Sequence, residues 1–159
     1  MKKTRVAMVL LFGIVLIAGL ACSLLFESEF EYFGNDMEPT VMEGQVCTVS
    51  EREYLTSNPK RGEVVLFKIN DSSLIRRVIG LPGETITIED GAVYVDGTIL
   101  NETYLPEGTL TESDTKEFNV PEDFYFLMGD NRTESNDSRT GGFVSLDLIE
   151  AKVLYCEDK

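Results

Sequence analysis

The hydrophobic and polar positions fall into distinct regimes along the chain. Val6 to Phe26 is an uninterrupted uncharged run of about the length that spans a bilayer. From Val46 onward the apolar positions come in short runs, several with the period of two that marks a half-buried strand. Glu63–Ile69 and Leu74–Gly80 read as short apolar strands, and Thr85–Ile88 alternates. Asp90-Gly91 then leads into Ala92–Val95, and Asp96-Gly97 into Thr98–Leu100. Asp-Gly pairs between alternating runs predict tight hairpins. Asn101 to Lys116 is polar and breaks the period, which predicts an exposed excursion. Phe118–Met128 resumes as strand, Ala151–Tyr155 closes the chain, and only Leu146–Ala151 looks briefly helical. The pattern predicts a mostly antiparallel β-domain over residues 27–159, a transmembrane helix over 6–26 and a basic tail over 1–5.

Charge orients that anchor. Lys2, Lys3 and Arg5 precede the apolar run, and Glu27, Glu29 and Glu31 follow it. Positive-inside bias places the N-terminus in the cytoplasm and the β-domain outside. A cleaved leader competes with this reading, but the run is long for one and lacks a small-X-small site before the acids. Leu20-Ala21-Cys22 resembles the end of a lipobox, with Gly19 where leucine is usual. The expectation is an uncleaved, single-pass anchor in the cell membrane. Phe26, Phe30, Tyr32 and Phe33 line the exit from it, either as an interfacial aromatic belt or packed into the first strand.

The 159 residues carry 14 Lys and Arg against 28 Asp and Glu, a formal charge of −14. With the three N-terminal cations set apart, the remainder carries −17. Such a surface repels phosphate backbones, so no nucleic-acid partner is expected. There is no histidine, which removes Ser-His-Asp and Cys-His nucleophile systems and His-ligated metals together. Neither a metal nor a cofactor is expected. Cys22, Cys47 and Cys156 are too few and too scattered for a disulfide framework. Cys47 and Cys156 could pair, but buried free thiols are the expectation.

One polar stretch stands out: Gly129 to Arg139 reads G-D-N-R-T-E-S-N-D-S-R. It follows the apolar run Phe124–Met128, and a polar turn at the end of a buried strand is a common place for chemistry. Arg132 and Arg139 lie among Asp130, Glu134 and Asp137, so the loop can be braced by its own ion pairs.

Four segments in fixed order resemble those of bacterial type I signal peptidases. Asp36-Met37-Glu38-Pro39-Thr40 is similar to the family's Ser-Met-X-Pro-Thr nucleophile segment, and Arg61–Phe67 to its Arg-Gly-Asp-Val-Val-X-Phe strand. Arg76–Glu84 resembles Lys-Arg-Val-Ile-Gly-X-Pro-Gly-Asp, and Gly129–Arg139 matches the family's Gly-Asp-Asn-Arg-X-X-Ser-X-Asp-Ser-Arg. The resemblance implies an antiparallel, barrel-like signal peptidase domain. In active members the serine attacks the peptide carbonyl, and a lysine kept neutral by burial is the general base. Here Asp36 stands at the serine position and Arg76 at the lysine position. A guanidinium cannot accept a proton, and a carboxylate paired with it is a weak nucleophile towards an amide. Lys68, Arg77 and an aspartic pair of Asp36 with Asp130 or Asp137 are poor substitutes.

The resemblance also implies what remains. The family binds an extended Ala-X-Ala segment by strand addition, between the strand after the first segment and the strand of the third. Gly34, Met37, Pro39, Thr40, Arg77 and Val78 are the expected cleft residues. Asp130, Asn131, Arg132, Ser135, Asp137, Ser138 and Arg139 are expected to brace the site, with Asp137 holding Arg139 and Ser135 touching Arg76. The chain looks like the non-catalytic signal-peptidase-like proteins of streptococcal pilus loci, which carry Asp at the serine position. That likeness implies a secreted pilin or preprotein segment as partner, with a sortase nearby. The alternatives are an active signal peptidase with another nucleophile, and a binder of some other partner, such as a decoy that holds signal peptides.

Overall fold

The computed structural model describes residues 27–111 and 114–159, so the expected anchor over 6–26 and its basic tail lie outside the described residues. Among those described, no helix is long and apolar enough to cross a membrane. Eleven strands among the described residues form two antiparallel sheets. They are β1 (Glu27–Glu31), β2 (Val46–Ser50), β3 (Val64–Ile69), β4 (Ser72–Gly80), β5 (Thr85–Glu89) and β6 (Ala92–Val95). The rest are β7 (Thr98–Ile99), β8 (Lys116–Asn119), β9 (Phe124–Met128), β10 (Val144–Ser145) and β11 (Ile149–Glu157). The larger sheet runs β1-β2-β11-β3-β4-β9-β10 and the smaller β7-β6-β5-β8. A single helical turn, α1 (Ser138–Gly141), follows the Gly129–Asp137 loop.

Successive strand residues point to opposite faces, and β3 shows the consequence. Leu66 packs with Tyr32, Met37, Cys47, Ile75 and Ala151 on one face. Val65 and Phe67 pack with Val78, Tyr125, Leu127 and Ile149 on the other. A strand covered on both faces reads as a continuous apolar run, which is why Val64–Phe67 does not alternate. A third cluster joins the sheets, with Ile79, Phe126 and Met128 meeting Ile86, Ile88 and Val93. At that seam a Cβ on Gly80 would lie 2.8 Å from Ile86 Cγ1 and 2.9 Å from Phe126 Cβ. Only glycine fits there.

Both Asp-Gly pairs turn as the sequence predicts. Asp90 and Gly91 (φ 49° and 79°) and Asp96 and Gly97 (φ 48° and 75°) are all left-handed, the geometry of a two-residue hairpin loop. Phe30 and Tyr32 pack against the first cluster while Phe33 stays 73 % exposed.

Four expectations need correction. Phe118–Met128 is two strands, because Pro121 offers no N–H to a ladder and Asp123 turns at φ 64°. Leu146–Ala151 is helical only as a 3-10 turn over Leu146–Leu148, since Ile149 already pairs with Phe67 in β11. The excursion before β8 is not wholly exposed, as Thr111 is buried. Cys47 and Cys156 form a disulfide rather than two free thiols. They lie directly opposite one another in the β2–β11 ladder, a proximity that a sequence separation of 109 concealed.

Candidate functional site

The turn between β1 and β2 is pinned from below by Met37. Its side chain is 0 % exposed, and its N–H donates to Tyr32 Oη at 3.1 Å. Burial pushes the Tyr32 hydroxyl above its ordinary value against that bond, and the nearby Asp36 charge adds to the rise. A buried Met37 leaves its neighbour Asp36 facing β4. Arg76 Nη2 lies 2.9 Å from Asp36 Oδ1, with side chains 3 % and 23 % exposed respectively. The two residues that the resemblance sets at the serine and lysine positions therefore form an ion pair. Arg76 also donates from Nη1 to Ile75 O (2.7 Å) and from Nη2 to Asn136 O (2.9 Å). Its Nε and the Oγ of Ser135 are each buried without a hydrogen-bond partner, so no hydrogen bond joins Ser135 Oγ to Arg76.

The Gly129–Arg139 loop closes over this pair. Asn131 N–H donates to Asp36 O (2.9 Å) and Asn131 Nδ2 to Asn35 O (3.0 Å). A Cβ on Gly129 would sit 2.2 Å from Ser135 Oγ and 2.4 Å from Asp36 O, so the loop reaches Asp36 only because this residue has no side chain. Asp137 takes Arg139 Nε and Nη2, both at 2.8 Å, and the N–H of Gly129 at 2.9 Å. Burial pushes its carboxyl up, but the Arg139 guanidinium and the two backbone N–H groups outweigh that and hold it below the usual range. Ser138 Oγ accepts from Leu127 N–H at 2.9 Å, tying α1 to β9.

The loop is not braced by its own charges alone. Asp130 belongs to Arg77, which grips it from Nε at 2.8 Å and from Nη2 at 2.5 Å. Thr40 Oγ1 donates to the same carboxylate, and Arg77 Nη1 donates to Gly62 O at 2.7 Å. Arg132 reaches outside the loop, with both terminal nitrogens on the Glu102 carboxylate and Nη1 2.7 Å from Thr111 Oγ1. Tyr104 lies under Arg77, its ring centroid 3.9 Å from the guanidinium carbon. Glu102, Tyr104 and Thr111 come from the stretch expected to be an exposed excursion. Buried guanidinium groups need partners, and this segment supplies them. An aromatic residue inside a polar run was the one signal that pointed there. Asp130 and Asp137 are thus committed to arginines, and Lys68 is exposed near the β3–β4 hairpin tip.

The expected cleft changes shape. Met37 and Val78 are 0 % exposed and belong to the core beneath it, and Arg77 is buried in its pair with Asp130. Pro39 and Thr40 are exposed at the turn. Gly34, at φ 146°, would place a Cβ 3.2 Å from Asp36 Oδ2. The strand after the first segment, β2, has both edges taken, by β1 and β11. The other strand expected to flank the peptide, β4 of the third segment, has an unpaired edge. Val78 exchanges both backbone bonds with the residues leading into β3, from Val78 N–H to Glu63 O and from Gly62 N–H to Val78 O. In an antiparallel ladder the intervening residues turn their groups the other way, so Ser73 and Ile75 point towards the β9 side. There β9 pairs only from Arg77 onward.

A family model described as signal peptidase, peptidase S26, matches residues 4–156. A probable signal peptidase I-2 from Synechocystis is 35% identical over 128 residues, which is 75% of this chain and 58% of that protein. A signal peptidase I P from Bacillus subtilis subsp. natto is 34% identical over 147 residues, 86% of this chain and 78% of the relative. The crystal structure of a signal peptidase I from Enterococcus faecalis superposes with a TM-score of 0.54 at 30% identity, covering 61% of this chain and 97% of that one. The match over nearly the whole length, on a mostly antiparallel β fold, places the chain in the peptidase S26 signal peptidase family.

Proposed function

We propose that this chain is a non-catalytic member of that family, anchored in the cell membrane by Val6–Phe26. It holds an extended segment of a secreted pilin-like protein and assists its polymerisation, with a sortase acting close by. The observation that carries the reading is the Asp36–Arg76 ion pair at 2.9 Å. It fills the nucleophile and base positions with two groups that can neither activate a hydroxyl nor attack an amide effectively. Around it the turn, β4 and the Gly129–Arg139 loop keep a packed frame with an open strand edge, which is what strand addition requires. The Cys47–Cys156 disulfide accords with an oxidising, extracytoplasmic setting.

The second reading is an active signal peptidase with another nucleophile, favoured by relatives that are themselves named signal peptidases. A cleavage assay separates the two. The full-length protein in detergent is mixed with a preprotein bearing an Ala-X-Ala site, beside the double variant Asp36→Ser with Arg76→Lys. The expected outcome is no product from the natural chain and product from the double variant. Product from the natural chain, lost in Asp36→Ala, would overturn the non-catalytic reading.

A further inference from the structure

The stretch that builds most of the smaller sheet is charged with one sign only. No Lys or Arg occurs between Arg77 and Lys116, whereas Glu89, Asp90, Asp96 and Glu107 fall there and are exposed. Set into this anionic face is a groove of about 320 Å³, between the β6–β7 hairpin and residues 105–110. Ile99, Leu100, Leu105 and Leu110 supply its apolar walls, and Asp90, Glu102 and Glu107 its charges. Ile99 and Leu110 are 62 % and 67 % exposed. Glu102 is committed to Arg132, which leaves Asp90 and Glu107 as the exposed acids of the rim.

The walls of the groove are tied to the sheet. Thr111 N–H donates to Gly91 O (3.0 Å) and Leu100 N–H to Val93 O (2.8 Å). Within the loop, Thr109 donates to Pro106 O from its N–H (3.1 Å) and from Oγ1 (2.8 Å). Leu110 lies on the Asp90-Gly91 turn, where a Cβ on Gly91 would come within 2.7 Å of Leu110 Cδ2. A fixed backbone thus holds two aliphatic side chains open to water. Apolar surface exposed inside a charged rim marks a place where another molecule is bound.

Charge selects the occupant. A second copy would bring the same acidic face, and an anionic bilayer the same sign of charge, so both are repelled. A segment that joins an apolar side chain to Lys or Arg meets the walls and the rim together. We infer that this groove docks a cationic, apolar segment of a partner protein. One Leu-sized side chain lies between Ile99 and Leu110, and flanking Lys or Arg face Asp90 and Glu107. No lining residue of the groove belongs to the Asp36 turn, to β4 or to the Gly129–Arg139 loop, so the inference stands apart from the peptide-holding reading.

The test titrates the full-length protein in detergent against labelled Gly-Ser peptides, read by fluorescence anisotropy. The peptides carry Lys-Leu-Lys, Lys-Ser-Lys or Glu-Leu-Glu at their centre. Lys-Leu-Lys should bind about tenfold more tightly than Lys-Ser-Lys, the order of discrimination a hydrophobic pocket gives, and Glu-Leu-Glu should not bind. Added salt should weaken Lys-Leu-Lys, because exposed charges are screened. Ile99→Ser, at an exposed position of an edge strand, should erase the preference for Leu. Asp90→Asn with Glu107→Gln should weaken both Lys peptides several-fold and keep that preference, since asparagine still fits the left-handed turn. Equal binding of the two Lys peptides to the natural chain, or a preference for Leu that survives Ile99→Ser, would overturn the inference. Absence of any peptide binding would overturn it too, and Ile99-dependent self-association in sedimentation would then give the groove to a second copy.

Discussion

Arg76 commits its terminal nitrogens to Ile75 O, Asn136 O and Asp36 Oδ1 and leaves Nε without a partner. A lysine there would present a single ammonium and could lose its proton when desolvated, whereas the guanidinium is a fixed, forked donor. Asp36 compensates that buried charge. Removing one partner of a buried pair strands the other, but replacing both with apolar groups is often neutral. Asp36→Ala should therefore cost about 1–3 kcal/mol, below the usual range for a fully buried pair because Asp36 is 23 % exposed. Asp36→Ala combined with Arg76→Met should recover most of that loss. Urea denaturation of the single and double variants measures the coupling. Simple addition of the two single effects would mean that the pair contributes only as separate residues.

At the scale of elements, the Gly129–Arg139 loop behaves as one braced unit, and its brace is sensitive to acid. In an unfolded chain an aspartate ionises near pH ~3.9, and the fold holds Asp137 below its ordinary value. Between those two values the unfolded chain binds more protons, so stability rises with pH in that window. The contribution of Asp137 is complete above roughly pH 5 and is lost as pH falls through the unfolded value towards the folded one. Asp137→Asn leaves Arg139 buried opposite a neutral group and should cost about 2–4 kcal/mol at pH 7. That gap should narrow towards pH 3, where the unfolded chain already takes up a proton at this aspartate and the advantage of the folded pair falls. The same gap at both pH values would mean that the Asp137 charge plays no part in holding the loop. The loop's place was legible from its polar composition after an apolar strand, and its Asp137–Arg139 pair was what the family resemblance implied. The Asp-Gly hairpins were legible because left-handed turns are encoded in adjacent residues. The pairs Arg132–Glu102, Arg77–Asp130 and Cys47–Cys156 were not, because their partners meet only after β4, β9 and β11 have assembled. Of the two strands expected to flank the cleft, that of the third segment, β4, keeps an open edge, whereas β2 is closed off by β11 inserting between β2 and β3, which no local pattern reveals.

That insertion is the organising event of the whole molecule. β11 is the last strand in the chain, yet it lies third in the larger sheet and pairs with β2 on one side and β3 on the other. Without it β1 and β2 lose their connection to the rest of the sheet, and Asp36 lies in the turn that joins them. The Cys47–Cys156 bond joins β2 to β11 at facing positions and closes a loop with a sequence separation of 109. Closing a loop of that size restricts the unfolded chain strongly, and loss of such a disulfide typically costs about 2–5 kcal/mol. The expected result is that dithiothreitol, or the double variant Cys47→Ser with Cys156→Ser, lowers the unfolding free energy by an amount in that range, read as a lower urea midpoint. Because the bond acts by holding β2 against β11, the first region to gain amide exchange should be β1–β2 with the Asp36 turn. The β5–β6 hairpin, in the other sheet, should be protected as before. A midpoint unmoved by reductant, with both thiols then titrating as free, would mean that ladder pairing alone keeps β11 in place.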